Sequence, residues 1–481
     1  MTELLRQSLS DLAEDATVAT PRANTWADAR RSHRRRLVGG IAASTAAVLA
    51  VVTGSIALVA PSMRQNSGVT DQPAYVIGDL ALPTNVSQPS PWESGTADAG
   101  PPGPLAVLGE TLDRRTSWFH TSDAYYGISA VDGSYRYLDL PHLALNGTAV
   151  LSPDGTHVAY WTQSKTSTEQ TTVDGYAVYD TTSGKTATHT IADRDVVPRL
   201  LVWAPGSNEL MAAYRVGPLD DREAQVGKTD VLDVATDQST VVALRHDVQP
   251  GESASWSANG IAFWRAPKLT VIDPQTGGVL MDLGLTPTPV GGGKQPRSGG
   301  VAWSPDLSTL AFAALYPKSS GPLLQETSLG TFHAGGVGAQ LQGRDRPLGP
   351  PIIRRVTPFA AVYHLLGWRD DTHALVLGVP TAAQAVRADV VPGIYSINVE
   401  TGDYERLASV SLNDSAWIRG IATSVSDHPF VNRPGPTSHR DPRTVWAVIA
   451  MVVLLSATVL FVVLRSRRSK DPLRPIGTTP T

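Results

Sequence analysis

The residues that could do chemistry in this chain are few, and their spacing argues against most reactions. Cysteine is absent, which excludes disulfides, thiolate zinc sites and a cysteine nucleophile. No Gly-x-Ser-x-Gly elbow occurs, so a serine nucleophile of the α/β-hydrolase kind is not encoded. The eleven His include no His-Glu-x-x-His pair; His364 and His373 flank Trp368 and read as packing residues. Asp220-Asp221 and Asp370-Asp371 are adjacent carboxylates. On a strand such neighbours face opposite ways and cannot share a substrate. In a turn they could hold calcium, although no EF-type spacing supports it. Gly184-Lys185-Thr186 has the tail of a phosphate loop, but Tyr179 stands where that loop needs its first Gly, so a hairpin turn is expected. Gly291-Gly292-Gly293-Lys294 lacks the following Ser or Thr and reads as a flexible loop. The net charge of −4 gives no global field for nucleic acid. No catalytic residue, cofactor-binding residue or metal ligand is therefore assigned, and the chain is not expected to be an enzyme.

What the sequence does encode is a repeated positioning element. Val301-Ala302-Trp303-Ser304-Pro305-Asp306 runs into the apolar stretch Leu310–Ala314. Variants are Val150-Leu151-Ser152-Pro153-Asp154-Gly155 before Val158–Trp161, and Trp203-Ala204-Pro205-Gly206 before Leu210–Tyr214. Trp256 before Ile261–Trp264, Trp368 before Ala374–Leu377, and the weaker Trp417–Thr423 complete the series. Proline presets φ at the corner, and Asp can bond back to the turn backbone. The Trp ahead of it is a large apolar body suited to a buried wedge. Each unit continues with an alternating strand and a polar turn, as in Tyr176–Gly184, Thr229–Asp237, Leu269–Gly277 and Ile394–Gly402. Alternation at period two puts one strand face on a core.

Four strands per unit of roughly 50 residues, with Trp between neighbouring sheets, describe a propeller blade. Joining the C-terminal half-unit at Trp417 to the N-terminal half-unit at Tyr125–Leu140 closes the ring. The expected fold class is all-β, a six-bladed β-propeller, or seven-bladed if Leu105–Phe119 supplies strands of its own. Closure removes the exposed sheet edges that would pair with other chains.

The Ser-Pro-Asp-Gly corner followed by a small-residue strand resembles the WD40-like β-propeller repeat of the TolB family, over about residues 110–426. Leu151–Gly155 and Trp303–Asp306 carry the resemblance best. It implies a partner-binding module. The chain departs from that family in lacking a recognisable N-terminal α/β domain and in having membrane anchors. Sialidase-type Ser-x-Asp-x-Gly turns are not matched, since Asp154 and Gly155 are adjacent.

The flanks set the domain order. Residues 1–36 read as a cytoplasmic tail with an amphipathic helix at Thr2–Ala16 and a basic burst, Arg30–Arg36. Leu37–Ala60 and Val445–Leu464 carry no charge, and each is long enough to cross a ~30 Å hydrocarbon core as one of two flanking transmembrane α-helices. Cleavage of the first segment near Ser55-Ile56-Ala57 is the alternative. Residues 61–104 form a Pro-rich linker, 105–427 the propeller, 428–444 a second linker and 465–481 a cytoplasmic tail. Arginines before the first span and Arg465–Lys470 after the second put both termini in the cytoplasm and the propeller outside the cell membrane. The lipid bilayer is thus one partner. An unknown protein or small ligand at the propeller channel or its rim loops, such as Gly335–Arg346, is another. A cytoplasmic protein at residues 2–16 is a third, an arrangement that resembles actinobacterial membrane proteins that restrain sigma factors. Arg exceeds Lys 33 to 7, in keeping with a high-GC bacterial source. The function expected is ligand or protein binding without catalysis. The alternatives are an anti-sigma-like regulator and a hydrolase with carboxylates or His at the channel mouth.

Overall fold

A computed structural model describes residues 80–433 and 442–468, apart from 116–119, 145–147, 165–171, 194, 218–225, 245–252, 258–259, 266–267, 285–296, 307, 317–325, 334–353, 357–358, 381–391, 413–415 and 426–429. The helix expected at Thr2–Ala16, the first apolar span, Asp220-Asp221, Gly291–Lys294 and the loop Gly335–Arg346 lie outside the described residues. The chain divides into two units, residues 67–440 and residues 1–66 with 441–481.

The larger unit is all-β and built from antiparallel meanders. Two short strands come first, β1 (Leu82–Pro83) and β2 (Asn85–Ser87), then a one-turn helix α1 (Thr96–Ala99). The next strands are β3 (Leu105–Arg115), β4 (Thr121–Ser129) and β5 (Tyr135–Tyr137). A first complete meander follows with β6 (Ala149–Leu151), β7 (His157–Ser164), β8 (Thr172–Asp180) and β9 (Thr186–Thr190). A second has β10 (Val196–Trp203), β11 (Glu209–Val216), β12 (Val226–Asp233) and β13 (Gln238–Ala243). A single residue pair, Val196 with Val173, bridges it to the first. The third has β14 (Ser253–Ser257), β15 (Gly260–Arg265), β16 (Lys268–Ile272) and β17 (Val279–Gly284). The fourth has β18 (Arg297–Trp303), β19 (Thr309–Tyr316), β20 (Glu326–His333) and β21 (Arg354–Val356). The fifth has β22 (Phe359–Trp368), β23 (His373–Pro380), β24 (Gly393–Asn398) and β25 (Tyr404–Ser411). Finally β26 (Ala416–Ile421) pairs with β3, giving a sheet ordered β26-β3-β4-β5 from both ends of the unit.

The joined sheet takes one strand from the C-terminal end and three from the N-terminal end, where the sequence suggested two and two. Leu105–Arg115 is its second strand, hydrogen-bonded on both sides. Trp417 sits mid-strand opposite Glu110 and is 42% exposed. The wedge position of that sheet belongs instead to Ile421, at the strand end, which is 4% exposed. At the other corners the expected burial is found: Trp203, Trp256, Trp303 and Trp368 are all buried.

Apolar packing lies between successive sheets. Trp161, Tyr176, Trp203 and Tyr214 form one cluster across the first and second meanders. Met211, Trp256 and Phe263 fill the next interval, Trp264, Trp303 and Phe312 the one after, and Ala311, Trp368 and Val376 the fourth. The largest cluster draws on the fifth meander, the joined sheet and the first, through Leu375, Ile394, Leu108, Tyr126, Val158 and Tyr160. The first strand of each sheet touches the first strand of the next: β6 with β10, β10 with β14, β14 with β18, β18 with β22, β22 with β26, and β26 with β6. The fold is propeller-like.

The expected stalk is tied down from Leu80 onward. Leu80, Ala81, Leu82 and Val86 are buried, β2 adds to the outer strand β25 in parallel, and β1 pairs in parallel with β27 (Phe430–Val431). Short apolar islands in a Pro-rich segment gain more by covering a sheet edge than by staying in water.

In the smaller unit the described element is α2 (Pro442–Arg468), a helix of 27 residues. Its side chains are described over 447–462, where ten large apolar residues, among them Leu454, Val459 and Phe461, are exposed on all sides. Among residues described with their side chains, no helix is long and apolar enough to cross a membrane. The backbone helix continues past that stretch at both ends.

Candidate functional site

The corners are structural latches. Ser152 Oγ donates to Asp154 Oδ1 at 2.6 Å, and the same oxygen accepts from Thr156 N at 3.0 Å. Ser152 Oγ in turn accepts from His157 N at 2.9 Å. The Ser304 corner repeats this: Ser304 Oγ to Asp306 Oδ1 is 2.6 Å, Ser308 N to Asp306 Oδ1 is 3.0 Å, and Thr309 N to Ser304 Oγ is 2.9 Å. Bonds from Ser304 and Ser308 hold the Asp306 carboxyl below its usual range. Each corner also grips the next sheet: Asp154 N donates to Ser207 Oγ at 3.1 Å, and Asp306 N to Asp371 Oδ1 at 2.8 Å.

The pair Asp370-Asp371 is thereby spent on backbone. Asp370 Oδ1 accepts from Thr372 N at 2.9 Å and from His373 N at 2.8 Å. Burial raises its pKa, but the bonds from Thr372 and His373 outweigh that and leave it lowered. His373 closes the same turn, with Nδ1 at 2.8 Å from Asp370. Among the described residues no group of three His, Asp or Glu is placed to hold a metal.

The polar hairpins are spent likewise. In the turn holding Gly184-Lys185-Thr186, Asp180 Oδ1 accepts from Thr182 N and Ser183 N at 2.8 and 3.1 Å, and Gly184 takes φ 73°. Asp273 with Gly277 and Asn398 with Gly402 repeat it. At the fourth such turn Asp237 takes the left-handed place, at φ 59°. The Asp or Asn caps two amide groups and the glycine turns the chain.

Along the inner strands, bulges displace particular residues. In β10 the pairing shifts between Pro198 and Leu200, leaving Arg199 as the extra residue. In β22 it shifts between Val362 and His364, leaving Tyr363. In β26 it shifts between Ile418 and Gly420, leaving Arg419. A bulge takes a residue out of the ladder and re-aims its side chain. Tyr363 is 43% exposed. Arg419 binds Glu110 Oε2 through Nε and Nη2. His364 is half-buried, and burial first, with the Arg419 charge second, pulls its pKa from 6.5 down to about 4. It is therefore neutral near pH 7. Tyr125, opposite Glu110 on β4, accepts a bond from Ala149 N at 3.2 Å. Burial, then the Glu110 charge, pushes its pKa up to about 12.

The sequence did not single out Arg199, Tyr363, Arg419 or Glu110. A bulge is a property of two paired strands, and three of these residues lie in apolar runs without a turn signal. The position of each on the first or second strand of a unit was the signal available.

These features define a class: an all-β chain of antiparallel meanders whose inner strands meet around an axis. No protein-family model matches the chain, and no curated protein matches it. Among solved structures it is similar to the β-propeller domain of the Trilobed protease from Pyrococcus furiosus, at 9% identity and a TM-score of 0.33, covering 54% of this chain and 71% of that one. It is similar to an oligogalacturonate lyase solved with manganese, at 15% identity and a TM-score of 0.34, covering 60% and 71%. A putative 6-phosphogluconolactonase from Bacteroides fragilis gives 13% identity and a TM-score of 0.33, covering 65% and 98%. Likenesses at this level carry no conclusion about activity, and the fold rests on the chain's own strands.

Proposed function

We propose that this chain is a membrane-anchored, extracytoplasmic six-bladed propeller that binds a ligand or partner at its axis without catalysis. The observation that carries it is the cycle of inner-strand contacts, which returns from β26 to β6. Six sheets joined in that order, the last shared by both ends of the unit, support six blades over seven. The polar residues of the corners and hairpins hold the frame, so the inner strands are where binding groups remain. Their bulged positions supply arginine and tyrosine side chains rather than a convergent set of carboxylates.

The membrane reading rests on sequence and on one local feature of α2. Val445–Leu464 is uncharged and apolar on every face, a pattern that suits a hydrocarbon solvent. Its two hydroxyls are satisfied inside the helix: Ser456 Oγ donates to Val452 O at 2.8 Å, and Thr458 Oγ1 to Leu454 O at 2.7 Å. A hydrocarbon medium requires polar groups to find their partners within the segment.

Reporter fusions test this reading. A reporter active only outside the cytoplasm should be active when fused after Ser409 and inactive when fused after Lys470. The opposite pattern, or activity at neither site, would remove the proposed topology.

A further inference from the structure

The charge carried by the inner strands is one-sided in sequence. The strands β6, β10, β14, β18, β22 and β26 include arginines and His364, and no Asp or Glu. The chain as a whole has a formal charge of −4, so composition does not account for this. A cleft walled by one sign of charge in low-dielectric surroundings concentrates the opposite charge. The carboxylate that meets the ring is Glu110, on the second strand, where it fixes the guanidinium of Arg419 along its Nε–Nη2 edge. The Nη1 donors of Arg419 have no partner among the described residues, and its side chain remains 42% exposed.

Two large aromatic side chains accompany the cations. Trp417 precedes Arg419 by two positions on β26, and Tyr363 stands beside His364 on the neighbouring β22; they are 42% and 43% exposed. In every other sheet but the first, the corner Trp is buried as a wedge, so an inner-strand indole left half in water is a departure from the frame. Bulges at both strands put Tyr363 and Arg419 outside the ladders. An arginine fork suits carboxylate or phosphate oxygens, and exposed rings suit a planar or pyranose face. A neutral sugar would use the rings but leave the arginines idle.

We propose that the inner strands β22 and β26 bind a small anionic ligand, a carboxylate or phosphate carried on a ring, with Arg419 facing the anion and Trp417 and Tyr363 facing the ring. This rests on the binding-module reading and names its ligand class. The test uses the full chain in a neutral maltoside detergent, titrated calorimetrically with phenyl phosphate, benzoate, inorganic phosphate and phenyl β-glucoside. Phenyl phosphate or benzoate should bind, at least tenfold more tightly than inorganic phosphate, and the glucoside should not. The double variant E110Q/R419Q removes both members of the ion pair together and so leaves no buried charge behind; it should weaken the anionic probes about tenfold or more with little change in melting temperature. W417A, at an exposed site, should weaken phenyl phosphate and leave inorganic phosphate unchanged. Failure of both ring anions to bind at 10 mM-scale probe concentrations (roughly the weakest useful range), equal binding of the glucoside, or unchanged binding in E110Q/R419Q would overturn it. The reporter fusions are independent of this outcome: correct topology with no anion binding removes the ligand class alone, and anion binding with inverted topology removes the location alone.

Discussion

Gly155 closes the first Ser-Pro-Asp corner, and what passes over it explains why it is a glycine. Gly155 has φ 75°, and a Cβ there would lie 2.1 Å from the carbonyl oxygen of Leu105. Leu105 N also donates to Gly155 O at 2.8 Å. The glycine is needed where β3 begins, to let two backbones touch. His364 shows a residue set by its surroundings in another way. An unfolded imidazole takes up a proton near pH 6.5, whereas the folded one refuses it until about 4. Stability from this group is therefore full above pH 6.5 and is lost as pH falls from 6.5 towards 4. At about 1.4 kcal/mol per pKa unit, the loss is at most about 3 kcal/mol. Denaturation midpoints measured from pH 7.5 to 4.5 should fall across that interval, and His364→Leu should flatten the fall. A level wild-type curve would contradict this account.

At the scale of elements, the indole N–H of two corner tryptophans ties one sheet to the sheet before it, whereas that of Trp303 is buried without a partner among the described residues. Trp368 Nε1 donates to Ala302 O at 2.9 Å, and Trp203 Nε1 to Val150 O at 3.3 Å. The acceptor stands one residue before the corner position in both cases. Trp368→Phe keeps most of the apolar body but removes this bond between sheets, at a cost of about 0.5–1.5 kcal/mol. Urea unfolding should register it as a lower midpoint at unchanged slope. Such elements were legible in the sequence because their causes are local: Ser-Pro-Asp makes its own corner, and Asp180 to Gly184 makes its own turn. The joined sheet was legible only in outline. Strand β3 owes its place to Ala416–Ile421, and no local pattern in Leu105–Arg115 announces a partner so far along the chain. The same reason hid Arg199, Tyr363 and Arg419, since each is defined by a register slip against a neighbouring strand. In the Pro-rich segment Leu80–Leu82 is legible as an apolar island able to dock on the domain, but nothing local names the strands whose edges Leu82 and Val86 cover.

At the scale of the whole unit, the sheet β26-β3-β4-β5 is what brings the last meander against the first. Without β26 the edge of β3 would offer unpaired N–H and C=O groups to any other chain. A chain stopped at Leu412 should accordingly elute as a larger assembly than the full chain in size-exclusion chromatography, and a peptide covering residues 413–427 should reverse the change. A truncated chain no more associated than the full chain would show that the unit does not depend on that strand.

The shared sheet also bears on how the protein is made. A ribosome releases β26 about 300 residues after the strand it must clasp, so the earliest sheet waits, raw on one side, until five meanders have emerged. Five meanders can settle in order as they emerge, but none of them can finish the first. A nonsense mutation shortly before codon 416 should therefore be as damaging as one near the start of the gene.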